Sequence, residues 1–210
     1  MYILQSSDLS FHYNKGTNLV FPNIEIQAHQ HSLVLGDSGT GKATLLHLLS
    51  GLSQPSTGGV HLLGQDLYQL KGAALDAYRK KNMGFIFQEA HLLQNLTVVE
   101  NIKLAQSLAK FPVDEDAIFA VLGQLQLQDK AKSLPNQLSR GQRQRTAIAR
   151  AIINKPALLI ADEPTASLDD SNTQRVLDLL MEMADTHAST LLIATHDKRI
   201  KDHFTNFYQL

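Results

Sequence analysis

Apolar residues along the chain fall into short runs that end in glycine or acidic residues, each followed by a segment of helical periodicity. Ser32–Leu35 reads as a buried strand, Gly36–Gly41 as a loop, and Lys42–Leu49 as a helix stopped by Gly51. Leu158–Ala161 reads as a second buried strand ending at Asp162-Glu163-Pro164. Leu191–Ala194 reads as a third, ending at Thr195-His196-Asp197. Apolar strands with polar C-terminal ends suit an open parallel sheet, because ligands bind beyond those ends. The N-terminal pattern differs: Met1–Tyr13, Val20–Gln27 and Val60–Leu63 read as short strands separated by turns, an antiparallel flap beside the core. Residues 89–137 break the strand–helix rhythm. Val99–Lys110 and Asp114–Leu125 read as helices around Pro112, with Asp114 as N-cap of an acidic first turn (Glu115, Asp116). Lys155-Pro156 ends a further helix that starts near Ser139. The expected fold is α/β: a mainly parallel core sheet, an N-terminal antiparallel β part and an inserted α-helical part. Residues 1–88 and 138–210 would form the core, and 89–137 the insert, of a single domain.

Composition narrows the chemistry. At 210 residues, 43% hydrophobic and 19% charged, the chain has the make-up of one globular domain. Nineteen Lys and Arg against 20 Asp and Glu give a net charge of -1, which argues against nucleic-acid binding by bulk charge. The absence of cysteine excludes disulfide scaffolds, thiol nucleophiles and cysteine-ligated metal sites. Met1–Phe11 contains no Lys or Arg and does not read as a secretory signal. The longest strongly apolar runs are about strand length, whereas a membrane helix needs roughly 20 apolar residues, so no crossing is expected.

Gly36-Asp37-Ser38-Gly39-Thr40-Gly41-Lys42 follows a strand and opens a helix, the context of a triphosphate-binding loop. Its glycines permit close backbone approach, its N–H groups and the helix N-terminus face an anion, and Lys42 reaches the terminal phosphates. The position after the lysine, where a hydroxyl would ligate Mg²⁺, is Ala43. Thr44 points about 100° further round the helix and does not replace that ligand, although it has reach to a phosphate. Past the second strand, Asp162 and Glu163 point in opposite directions if the strand continues. Asp162 would then face Mg²⁺ while Glu163 orients or deprotonates the attacking water. His196, at the end of the third strand, is placed to bond the γ-phosphate. His29 and His31 flank a turn without a partner cluster, so no metal site is expected there.

Leu138-Ser139-Arg140-Gly141-Gln142 stands at the head of a helix and reads as a second anion site. One chain does not easily present both this tip and its own phosphate loop to a single triphosphate, whereas two chains arranged head to tail do.

Together these residues resemble the ATP-binding cassette (ABC) ATPases over nearly the whole chain. Tyr13 matches the aromatic that stacks on adenine, and Gly36–Thr44 matches Walker A, with Gly36, Asp37, Ser38, Gly39, Thr40, Gly41, Lys42, Ala43 and Thr44 as its positions. Gln88 matches the glutamine that touches Mg²⁺ and senses a membrane partner. Ser139, Gly141 and Gln142 belong to a segment similar to the signature motif, although Arg140 replaces its first glycine. Leu158–Asp162 resembles Walker B, with Asp162 as metal ligand and Glu163 as catalytic glutamate. Ser167-Leu168-Asp169 is similar to the D-loop and His196 to the switch histidine. Spacing agrees: 46 positions separate Lys42 from Gln88, 51 separate Gln88 from Ser139, and 23 separate Ser139 from Asp162. Ala90–Leu93 and Leu96–Asn101 look like the bacterial branch serving lipoprotein release and macrolide export. Gln30-His31 stands where the family usually has Gly-Glu, a change expected to affect only a turn.

The resemblance implies an ATP- and Mg²⁺-dependent ATPase subunit on the cytoplasmic face of the inner or plasma membrane. It implies a homodimer, or a pair with a related cassette, working with separate transmembrane permease subunits. Fourteen residues follow His196, so the accessory regulatory domain of some importers is not expected. Two other readings stand beside this one: a nucleotide-gated scaffold with little hydrolysis, which Ala43 favours, and a soluble non-transport ABC ATPase. Glu163 and His196 favour the enzyme. A simple P-loop kinase would have no use for Leu138–Gln142.

Overall fold

The computed structural model describes residues 1–13, 16, 18–166 and 170–210, with Ser171 described by its backbone alone. The expected D-loop, Ser167-Leu168-Asp169, lies outside the described residues.

Two sheets sandwich a short helix. The first is antiparallel and built on β1 (Tyr2–His12), which pairs with β2 (Asn18–Val20) and β3 (Ile24–Gln27) on one edge and β5 (Thr57–Leu62) on the other. Here β4 is Ser32–Leu35 and β6, Gln65–Asp66, extends β5 as a hairpin. The expected Val20–Gln27 strand is thus two strands. Pro22, which has no N–H to give to a ladder, separates them. The second sheet has the order β10-β4-β9-β8-β7, with β7 Met83–Ile86, β8 Leu158–Asp162, β9 Thr190–Thr195 and β10 Asn206–Gln209, every pair parallel.

The central strands β4, β8 and β9 are buried on both faces, and alternate residues feed two cores. Val34, Leu158, Ile160, Leu192 and Ala194 pack toward α1 (Lys42–Leu49) and the antiparallel sheet. Leu33, Leu35, Leu159, Leu191 and Ile193 pack toward the remaining large helices. Helix α1 is apolar nearly all round, with Leu45, Leu46, Leu48 and Leu49 fully buried, because it lies between two sheets. The opposite layer holds α3 (Val98–Leu108), α4 (Glu115–Gln124), α5 (Arg140–Ile152) and α6 (Asp170–Thr186). Asp114 caps α4 as expected, accepting from the Ala117 N–H. Helix α2 (Ala73–Asn82) has no buried residue, and so no apolar stripe by which the sequence would reveal it. Strand β10 alternates intermediate and exposed residues, and its pairing with β4 alone marks it as part of the sheet.

Where β7 crosses α5 the backbones touch. A Cβ at Gly84 would lie 2.3 Å from the Ala151 carbonyl oxygen and 2.9 Å from a Leu159 methyl. Gly84→Ala is expected to force the strand off the helix at a cost of about 1–3 kcal/mol. For a domain of this size that lowers the melting temperature by roughly 2–12 °C, readable by calorimetry.

His31 does more than shape a turn. Its Nδ1 accepts from the Leu191 N–H at 3.1 Å, and its Nε2 lies 3.0 Å from Asp185 Oδ1, so it ties the start of β4 to β9 and to α6. No group of three or more metal-ligating side chains occurs among the described residues. Nor is any described helix long and apolar enough to cross a membrane.

Candidate functional site

Four parallel strands deliver their C-terminal ends to one edge of the sheet, and the expected chemistry gathers there. The end of β4 opens into the phosphate loop, in which Gly39 and Gly41 have φ of 86° and 98°, the left-handed region open to glycine. A Cβ at Gly41 would also meet a Leu19 methyl at 2.8 Å. No side chain caps α1, so its first N–H groups, which lack intrahelical partners, are left to face the cavity.

Lys42 is buried, and all three hydrogens of its ammonium group have acceptors. They are the Gly36 carbonyl at 2.7 Å, the Asp37 carbonyl at 3.0 Å and Glu163 Oε1 at 3.2 Å. Ala43 is exposed on the cavity wall. The neighbouring Thr44 hydroxyl is hydrogen-bonded to the Tyr13 hydroxyl. Tyr13 stands edge-on to Phe11, with ring centroids 4.9 Å apart.

Asp162 and Glu163 do not diverge as a continued strand would have them do. Glu163 has φ of 46°, and its N–H donates to the Ala194 carbonyl at 2.8 Å. This left-handed turn, which costs on the order of 1–3 kcal/mol, brings both carboxylates to the same cavity. Glu163 Oε2 accepts from the Thr195 hydroxyl at 2.8 Å, and His196 Nδ1 lies 3.0 Å from both carboxylate oxygens. Burial pushes the Glu163 carboxyl up, but His196, Thr195 and Lys42 together outweigh it and hold it below the usual glutamate range. Asp162 is pushed the other way, first by burial and then by the neighbouring Glu163 charge.

A cavity of about 510 Å³ collects Tyr13, Ser38, Gly39, Gly41, Lys42, Ala43, Thr44, Gln88, Asp162 and Glu163 on its wall, together with Leu19. Gly36, Asp37 and Thr40 support the loop from behind. The Gly36 N–H donates to Thr195, the Thr40 hydroxyl donates to the Asp37 carbonyl, and the Asp37 and Gly36 carbonyls hold Lys42. Gln88 follows the end of β7. Asp162 and Gln88 offer hard oxygen donors on the same wall, as Mg²⁺ carried by a nucleotide requires, with one hydroxyl fewer than usual because of Ala43.

The Ser139–Gln142 segment lies elsewhere. Ser139 caps α5, accepting from the Gln142 N–H at 3.2 Å while its own N–H donates to Gln142 Oε1 at 2.9 Å. Gly141 has open space around it and lines a second, 260 Å³ cavity that Gln88 and Glu163 share. Sequence reasoning missed Thr195 and Leu19. The hydroxyl of Thr195 sits at a strand end beside His196, which is a readable signal, whereas Leu19 reaches the site only because β2 folds across the loop.

Residues 21–166 match the profile of the ABC transporter family. The chain is 39% identical over 215 residues to the lipoprotein-releasing system ATP-binding protein LolD of Hydrogenovibrio crunogenus, covering 99% of this chain and 93% of that protein. It is 38% identical over 205 residues to LolD of Psychrobacter arcticus, covering 94% and 91%. Among solved structures, the dimeric bacterial ABC transporter cassette MJ0796 superposes with a TM-score of 0.86 at 27% identity, covering 99% of this chain and 94% of that one. A dimeric post-hydrolysis state of the same cassette, bound to ADP and Pi, matches equally well. These likenesses support the ATP-hydrolysing transporter subunit and not the scaffold or the non-transport ATPase. The chain belongs to the ABC transporter family and is an ATP-binding, ATP-hydrolysing subunit of that family.

Proposed function

We propose that two copies of this chain, or one copy and a related cassette, close around two ATP molecules and drive separate membrane subunits of the lipoprotein-releasing kind. In this reading the chain sits on the cytoplasmic face of the inner membrane. Each ATP is held by one phosphate loop and by Ser139, Gly141 and Gln142 of the opposite protomer, with Tyr13 against the base. Asp162 and Gln88 would hold Mg²⁺, which neutralises charge on the phosphate oxygens. Lys42 gives up its Glu163 contact for a phosphate, and Glu163, held by Thr195 and His196, orients the attacking water. Because its carboxyl is held low, Glu163 acts more by accepting a hydrogen bond from the water than as a strong base.

The observation that carries the membrane coupling is a groove of about 470 Å³ beside β7, the strand that leads to Gln88. Its wall includes the stacked rings of Phe85 and Phe87, 4.3 Å apart, and the exposed Leu93 and Leu108. The segment between Gln88 and α3 is firmly anchored. Arg150 donates to the Ala90 and His91 carbonyls, and the buried Asn101 bonds Leu93 through both its N–H and its carbonyl. A helix of a membrane subunit in this groove would feel displacement at Gln88 directly. Residues 89–137 then act as a lever against the core of 1–88 and 138–210.

The test is purification of the tagged chain from solubilised membranes, with identification of the subunits that come with it. A polytopic membrane protein is expected, and Leu93→Asp should lower its recovery at least tenfold. ATP hydrolysis by the isolated chain should stay unchanged. Recovery of soluble proteins alone would end this reading.

A further inference from the structure

Arg199, just beyond the His196 turn, is held in a fork that the hydrolytic site does not itself require. Its Nε donates to Asp197 Oδ1 at 2.8 Å and its Nη2 to Asp197 Oδ2 at 2.6 Å, a two-pronged pair with a nearly buried carboxylate. The same guanidinium reaches across to α6, where Nη1 pairs with Asp170 and Nη2 donates to the Thr173 hydroxyl at 3.2 Å. On its other side, the Asp197 N–H donates to the Thr195 hydroxyl at 3.1 Å, and that hydroxyl donates to Glu163. His196 therefore lies between two fixed points. One is the β9 ladder; the other is an arginine that joins the turn to the head of α6.

We propose that Arg199 is a positioning residue for ATP hydrolysis, locking the His196 turn to the head of α6 so that Thr195 and His196 hold the Glu163 carboxylate in one orientation. Arg199 is not among the residues that line the phosphate-loop cavity; it acts through Asp197. The inference rests on the reading that Glu163 and His196 serve hydrolysis. The arm to Asp170 is solvent-exposed and adds little stability, whereas the fork is geometric and small displacements of a reacting group are costly. Lysine cannot reproduce the fork, because a single ammonium does not span both oxygens of Asp197 and reach α6 as well.

Arg199→Ala, Arg199→Lys, Asp170→Asn and the Arg199→Ala/Asp170→Asn pair should be compared for kcat, KM for ATP and melting temperature, with Glu163→Gln as the reference. Arg199→Ala is expected to lower kcat about five- to twentyfold, leaving KM within about twofold and the melting temperature within about 3 °C. Arg199→Lys should recover only part of the loss. Asp170→Asn should lower kcat less than Arg199→Ala, and the pair should be no slower than Arg199→Ala alone, as two members of one clamp would be. An unchanged kcat in Arg199→Ala overturns the inference. So does a loss of kcat accompanied by a raised KM and a lowered melting temperature, which marks a merely structural arginine. Full turnover in Glu163→Gln would instead overturn the underlying reading of the site.

Discussion

Glu163→Gln is expected to lose about 10²- to 10⁴-fold in steady-state ATP turnover, equivalent to about 3–5 kcal/mol of barrier, while gaining affinity for ATP. The two effects have separate causes. The amide keeps the shape of the side chain, but it replaces one acceptor oxygen by a donor, so the water that the carboxylate would orient loses its partner. The affinity gain comes from Lys42. Its ammonium is shared among two loop carbonyls and Glu163, so an arriving phosphate must compete with an anion for it. Removing that charge removes the competitor. With hydrolysis blocked and binding strengthened, the closed dimer should accumulate. Small-angle scattering or size exclusion should show dimer in ATP and monomer without nucleotide. A variant that stayed monomeric at saturating ATP and hydrolysed it at the native rate would sink both the role of Glu163 and the head-to-tail arrangement.

Restoring a hydroxyl after the loop lysine is expected to raise activity. Ala43→Ser should raise turnover about tenfold and tighten Mg²⁺ binding to the nucleotide complex by a similar factor. Ala43 is exposed on the cavity wall, so an added oxygen meets no steric barrier and the fold should keep its stability. Thr44 does not supply the missing ligand, since its hydroxyl is taken up by the Tyr13 hydroxyl. Metal titration of the ATP complex, with Mn²⁺ as a spectroscopic reporter, separates this effect from any change in chemistry. Equal metal affinity and equal turnover in the two proteins would show the hydroxyl to be dispensable.

Much of the architecture is legible in local pattern. The strands Ser32–Leu35, Leu158–Asp162 and Thr190–Thr195 are short apolar runs, and burial on both faces of a parallel sheet is what produces such runs. The cap Asp114 is legible because it satisfies the start of its own helix with its own side chain, whereas the capping role of Ser139 emerges only from the structure. Helix α2 and strand β10 were not legible, because neither shows an apolar periodicity and each is defined by its neighbours. The orientation of Glu163 departs from strand alternation for a related reason. Strand alternation holds only while the backbone stays extended, and Glu163 leaves it at φ 46°.

By itself the chain of residues determined the phosphate loop, the family and the absence of any thiol chemistry, all of which depend on residue type and short spacing along one backbone. Only the tertiary structure decided that Glu163 is gripped by Lys42, Thr195 and His196, that Thr44 turns to Tyr13, and that Arg199 joins two elements behind the site. These contacts join residues from 29 to 121 positions apart. They exist because β9 lies between β4 and β8, which sets three loop ends side by side, and no local periodicity encodes that strand order.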